Sequence, residues 1–84
     1  MQRNLIMFRS LTYAQRGMSV LERAGVTVGL VKAPQSVSAT GCTYGLRLHS
    51  KRLEYSLELL RKNGLAFGKV YEYTDDGGLR EVSV

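Results

Sequence analysis

Apolar residues along this chain follow two different spacings, and the switches between them mark out its elements. Asn4 to Phe8 (NLIMF) is a short continuous apolar run between polar residues, the pattern of a central strand buried on both faces. Ser10 then stands where a helix N-cap belongs. From there Leu11, Ala14, Met18, Leu21 and Ala24 recur at spacings of three and four, which is one stripe of a helix. Gly25 supplies its stop. Gly17 lies inside the helix and costs up to about 1 kcal/mol relative to alanine. A close approach of the helix to a sheet would explain it.

Val26 to Val31 is rich in valine and reads as a second strand, ended by Pro34. The connection from Lys32 to Thr43 is long for a compact domain. Tyr44 to His49 alternates, with Tyr44, Leu46 and Leu48 on one side and Gly45, Arg47 and His49 on the other. Ser50 is the next N-cap candidate. Leu53, Leu57 and Leu60 form a second helical stripe, supported by Glu58 and Lys62 at a four-residue spacing and stopped at Asn63-Gly64. Ala66 to Thr74 predicts a fourth strand. Asp75-Asp76-Gly77-Gly78 is a turn signal, after which Leu79 to Val84 either folds back as a short fifth strand or frays for want of a partner edge.

The order is β-α-β-β-α-β plus a tail. Two interleaved right-handed crossovers of this kind give an α+β, ferredoxin-like sandwich: a four-stranded antiparallel sheet with both helices on one face. Residues 1–84 then form a single domain, with a core at 4–74 and a hairpin or tail at 75–84. In this topology the first two strands run the same way and the third returns. The loop between the second and third strands therefore shares an end of the sheet with Arg9, Ser10 and the start of the first helix. Lys51, Arg52 and the start of the second helix lie at the other end.

Composition sharpens this picture in two places. With 44% hydrophobic and 23% charged residues the chain is ordinary globular material, although a domain of 84 residues has little apolar area to spare. The net charge of +5 is uneven: residues 1–52 hold eight Lys/Arg and one acid, Glu22, whereas residues 53–84 hold four Lys/Arg and six acids. A basic half suits anionic partners, whether nucleic acid, a phosphate-bearing ligand or an acidic protein surface, and equally suits a plain solvated surface. The apolar run Leu5–Phe8 is too short for a signal-peptide core, and nothing approaches the roughly 20 apolar residues of a membrane span. A soluble cytoplasmic protein without a membrane partner is the expectation.

The residue that stands out chemically is Cys42, the sole cysteine. It lies in a Ser/Thr/Gly loop, flanked by Gly41 and Thr43, just ahead of a strand. A helix N-terminus or a nearby arginine lowers a thiol pKa and raises the thiolate fraction, and the topology brings Arg9 and the first helix to that end. The competing reading is a small buried hydrophobe. A lone cysteine excludes an internal disulfide and dithiol redox chemistry, and no ligand spacing suggests a metal site. His49 lies about 23 Å along the chain from Cys42 if the strand is regular, too far for a Cys–His pair, and reads as a surface residue of the open sheet face. Lys51-Arg52 could mark an anion site at a helix start, though long side chains reaching into water explain them as well. The stretch NGLAFGKVYEY is similar to the aromatic strand motif of RNA-recognition modules, which would make Lys69, Tyr71, Tyr73, Arg47 and His49 a base-stacking face. It falls on the fourth strand rather than the third, which counts against nucleic-acid binding. No phosphate-cradling glycine loop, acid pair in a recognisable context or Ser/His/Asp order is present, so an enzyme is not indicated.

From about residue 4 to 74 the chain resembles the putative selenium/sulfur carrier protein-like family, small bacterial domains. The resemblance rests on the opening NLIMFRSLTYAQRGMSVLERAGV, on the strand ending VKAP, on Pro34, Val37 and Ser38 in a P-x-x-V-S step, and on a Gly/Cys pair before the GLRL strand. It implies that Cys42 holds sulfur or selenium as a persulfide or selenenylsulfide. Backbone N–H groups and hydroxyls around Ser38, Thr40, Gly41 and Thr43 would then stabilise the anionic chalcogen, with Arg9 and Ser10 adding electrostatic support. It also implies no cofactor and no catalytic residue of its own, with donor and acceptor proteins as partners. The alternative is a non-catalytic binding or assembly module that uses the open sheet face to form a homodimer or to bind nucleic acid.

Overall fold

The computed structural model describes residues 2–34 and 44–84. Its elements are β1 (Arg3–Phe8), α1 (Leu11–Arg23), β2 (Val28–Lys32), β3 (Tyr44–His49), a 3-10 turn (Ser50–Arg52), α2 (Leu53–Lys62), β4 (Val70–Tyr73) and β5 (Leu79–Val82). The strands form one sheet in the order β2-β3-β1-β4-β5, with every neighbouring pair antiparallel. The first four strands have the order of a ferredoxin-like fold, and β5 extends the sheet beyond β4. No described helix is long and apolar enough to cross a membrane.

The apolar run of β1 makes it the central strand. From Asn4 to Phe8 every residue is buried. Ile6 and Phe8 face the helices and meet Leu46, Leu48, Val28 and Val70 of the sheet, Ala14 and Leu21 of α1, and Leu57 and Leu60 of α2. Both helices thus share one face. Asn4 is buried as well, and its side-chain amide donates to the Tyr71 carbonyl at 3.1 Å. The opposite face carries a smaller cluster in which Leu5, Met7 and Tyr71 are buried and Val31, Ala33, Tyr73 and Leu79 pack around them.

Two glycines set how closely these layers approach. A Cβ on Gly17 would stand 2.9 Å from Phe8 Cζ and 3.3 Å from Leu46 Cδ1, so α1 crosses the sheet at this residue. The buried line of α1 is accordingly Ala14, Gly17 and Leu21, while Leu11 and Ala24, at the ends of the expected stripe, are exposed. A Cβ on Gly45 would stand 2.8 Å from Leu5 Cδ1, 3.0 Å from Met7 Sδ and 3.1 Å from the Ile6 carbonyl oxygen.

Both helices end in the same way. Gly25, at φ 84°, donates to the Glu22 carbonyl while Val26 donates to Leu21. Gly64, at φ 69°, donates to Arg61 while Leu65 donates to Leu60. This paired Schellman closure satisfies carbonyls that the helix leaves orphaned. It also corrects the expected start of the second strand: the Val26 N–H is committed to the helix cap, so β2 begins at Val28. The expected Ser50 cap is corrected too. The His49 imidazole Nδ1 accepts the Lys51 N–H at 3.1 Å, Ser50–Arg52 make a 3-10 turn, and α2 follows from Leu53.

The fourth strand is shorter than Ala66–Thr74. Met7 donates to the Lys69 carbonyl and accepts from the Gly68 N–H, so two residues face one, and the regular ladder starts only at Val70. The tail does find a partner edge. Leu79–Val82 pairs with β4, with Glu72 opposite Arg80 in an ion pair and Glu81 bridged to Lys69 at 3.4 Å.

In the connecting turn Asp76 Oδ1 accepts from the Thr74 hydroxyl and from the Gly78 N–H. These two bonds, the Thr74 bond foremost, hold the Asp76 carboxyl below its ordinary value of 3.8. A carboxylate with a depressed folded pKa stabilises the fold fully above its unfolded pKa and loses that contribution as pH falls through the lower folded value. The Gly78 amide NMR shift is therefore expected to titrate with a midpoint below the ordinary carboxylate value. A midpoint at or above the ordinary value would contradict the hydrogen-bonded turn.

Candidate functional site

One end of the sheet gathers the segments that frame residues 35–43. β1 finishes there at Phe8, β2 at Lys32, and β3 begins at Tyr44. Tyr44 is opposite Phe8 on one side and Lys32 on the other. Arg9 and Ser10 follow Phe8 directly and lead into α1. Ser10 adopts an extended conformation (φ −154°, ψ 164°), and its Oγ accepts the Tyr13 N–H at 3.3 Å. The expected N-cap role of Ser10 is thus present, and the cap uses the acceptor side of its hydroxyl. The Arg9 guanidinium lies 5.7 Å from the centre of the Tyr13 ring, and that of Arg16 lies 6.0 Å from the same ring. Such stacking holds an arginine by its flat face and leaves its N–H edges able to donate.

Cys42 lies outside the described residues, as do Ser38, Thr40, Gly41 and Thr43. Of the residues singled out in the sequence, the structure brings together Arg9, Ser10 and the strand that Cys42 leads into. It sets Lys51 and Arg52 apart, because Arg3 rather than Phe8 is opposite His49 and the 3-10 turn starts at that far end. Lys32 reads from the sequence as the first residue of the loop. It is instead the last residue of β2, paired with Tyr44, and adds a second cation at the loop-bearing end. Its pairing partner is two residues beyond Cys42, so the strand boundary was the signal that would have placed it.

The helix-free face differs from the aromatic platform that the sequence suggested. Tyr71 is only 7% exposed and packs with Leu5 and Met7, and Tyr73 joins the same cluster. Leu5 and Met7 are apolar on this face and need cover, so the tyrosines are used for packing. Arg47 stays exposed there and His49 is half-buried. Among the described residues no three of His, Cys, Asp and Glu converge as metal ligands would.

The sheet order and the paired helices define an α+β protein compatible with the ferredoxin-like class. Residues 3–72 match the sequence model of the family described as "Putative Se/S carrier protein-like". The chain belongs to that family. Comparison with curated proteins and with solved structures gave no match.

Proposed function

We propose that this protein carries sulfur or selenium on Cys42, held as a persulfide or selenenylsulfide between a donor and an acceptor protein. The observation that carries the reading is the family match, which spans the segment holding the sole thiol of the chain. The described frame supports it. Cys42 leads into β3, whose first residue is paired on both sides. Arg9, Lys32 and the N-terminus of α1 gather at the same end of the sheet, where positive charge favours a thiolate and the anion it carries.

The chemistry is an exchange without net redox change. The Cys42 thiolate attacks the terminal chalcogen of a donor persulfide. The terminal chalcogen forms a bond to Cys42 Sγ as its bond to the donor sulfur breaks, and the donor leaves as a thiolate. In the second half the acceptor thiolate attacks the same terminal atom and Cys42 leaves as a thiolate. No cofactor is needed and no turnover of its own is assigned to the protein. The basic half of the chain would steer encounters with acidic partner surfaces.

The first test is thiol reactivity. Cys42 should react with iodoacetamide at neutral pH faster than a free small-molecule thiol. Arg9→Gln, which removes an exposed positive charge from that end of the sheet, should slow it about threefold. A Cys42 that alkylates no faster than a free thiol, and is indifferent to Arg9, would count against a poised thiolate.

A further inference from the structure

At the end of the strands away from the Cys42 loop, a cleft of about 320 Å³ opens at the β2 edge, lined by Arg3, Thr27, Gly29, Arg47 and His49 among others. Register makes this cluster. Arg3 is opposite His49, and Gly29 is opposite Arg47. Because side chains alternate along a strand, Arg3 shares the helix-free face with Leu5 and Met7, and Arg47 and His49 share it with Gly45. A Cβ on Gly29 would lie 3.7 Å from Arg47 Nη2, so the guanidinium extends over the bare backbone of the edge strand.

The polar groups presented here are donors. The three ion pairs among the described residues engage Lys62, Lys69 and Arg80, and none engages Arg3 or Arg47. His49 Nδ1 accepts the Lys51 N–H, which in the neutral ring places the proton on Nε2 and leaves that nitrogen as a donor. Thr27 adds a hydroxyl. Lys51 and Arg52 follow His49 in the chain and add positive charge at the same end, while Glu54 lines a different groove, between α2 and the C-terminal residues. Two guanidiniums, an imidazole N–H and a hydroxyl around one cleft suit a tetrahedral oxyanion with several acceptor oxygens.

We infer that this cleft is a binding site for a phosphate group of a small ligand, separate from the thiol end of the protein. His49 stands five residues along β3 from Tyr44, about 17 Å away. The inference does not rest on the carrier role of Cys42 and stands if that role fails.

The test is an NMR amide titration of the full chain with inorganic phosphate, with a nucleoside 5′-monophosphate and with a short single-stranded RNA, each against chloride at matched ionic strength. The two small phosphates should give saturable shifts centred on Gly29, Arg47 and His49. Arg47→Gln and Arg3→Gln should each weaken binding about tenfold, the worth of one charge-assisted hydrogen bond. Both arginines are exposed, so these variants are expected to keep the wild-type melting curve. Shifts spread evenly over Arg9, Lys32, Lys51 and Arg52, affinity unchanged in Arg47→Gln, or a response to RNA alone would overturn the inference.

Discussion

Gly45→Ala is expected to cost about 2–3 kcal/mol of stability, the upper part of the range for forcing extra atoms into a filled core. The added methyl would meet Leu5 Cδ1 at 2.8 Å, Met7 Sδ at 3.0 Å and the Ile6 carbonyl oxygen at 3.1 Å. Leu5 and Met7 are at most 1% exposed, so neither can swing into solvent, and the carbonyl belongs to the central strand. Relief requires β3 to move away from β1, against the ladder that joins them from Arg3–His49 to Phe8–Tyr44. For a domain of this size such a loss lowers the melting temperature by roughly 10–20 °C. Thermal unfolding followed by circular dichroism reads this directly. A melting temperature within a few degrees of wild type would show that the β1–β3 contact is looser than described. The substitution also bears on function, because Gly45 is the second residue of the strand into which Cys42 leads.

Gly17→Ala is the second large effect, and here two terms oppose one another. Alanine favours the helix by up to about 1 kcal/mol over glycine. Against this, its methyl would lie 2.9 Å and 3.2 Å from the Phe8 ring and 3.3 Å from Leu46 Cδ1. Phe8 and Leu46 are fully buried, and Phe8 is held in the central strand opposite Tyr44. Overpacking of this kind costs about 1–3 kcal/mol. The steric term is expected to win, for a net loss of about 1–2 kcal/mol, measurable in urea unfolding. Gly17→Ala paired with Phe8→Leu should lose less than the sum of the single substitutions, because the shorter side chain vacates the space the methyl needs. Stabilisation by Gly17→Ala alone would mean that helix propensity, not close approach, decides this position.

These two glycines also show how far the sequence could be read. Gly17 inside a helix is a cost that a close approach to the sheet would explain, and the contacts with Phe8 and Leu46 supply that approach. Gly45 gave no such signal, because a glycine in an alternating strand looks the same whether its face is open or filled. The face filled because Leu5 and Met7 of β1 meet Tyr71 of the neighbouring β4, a consequence of register rather than of any local pattern. The same register brings Arg3 to His49 and Arg47 to Gly29. Arg47 and His49 could be assigned to one face by alternation, but Arg3 could not be placed before the pairing was known.

The element boundaries that moved did so for hydrogen-bonding reasons. Val26 looks like a strand residue by composition, yet its N–H closes α1. Ser50 looks like a cap, yet the imidazole one residue earlier takes the Lys51 N–H. Leu79–Val82 had strand character on its own, and only the exposed edge of β4 decided that it would pair rather than fray. Cys42 was legible as a chemical oddity from its Ser/Thr/Gly flanks, and the topology that sets its neighbourhood from the order of the elements.

The carrier reading is tested most directly by intact mass. Wild type and Cys42→Ser are incubated with a persulfide-bearing donor protein, beside a free small-molecule thiol as competitor. Wild type is expected to gain the mass of one sulfur atom in preference to the competitor, to lose it on reduction, and to hand it to an added acceptor thiol, while Cys42→Ser stays unchanged. A wild-type protein left unmodified while the free thiol takes up sulfur would contradict it.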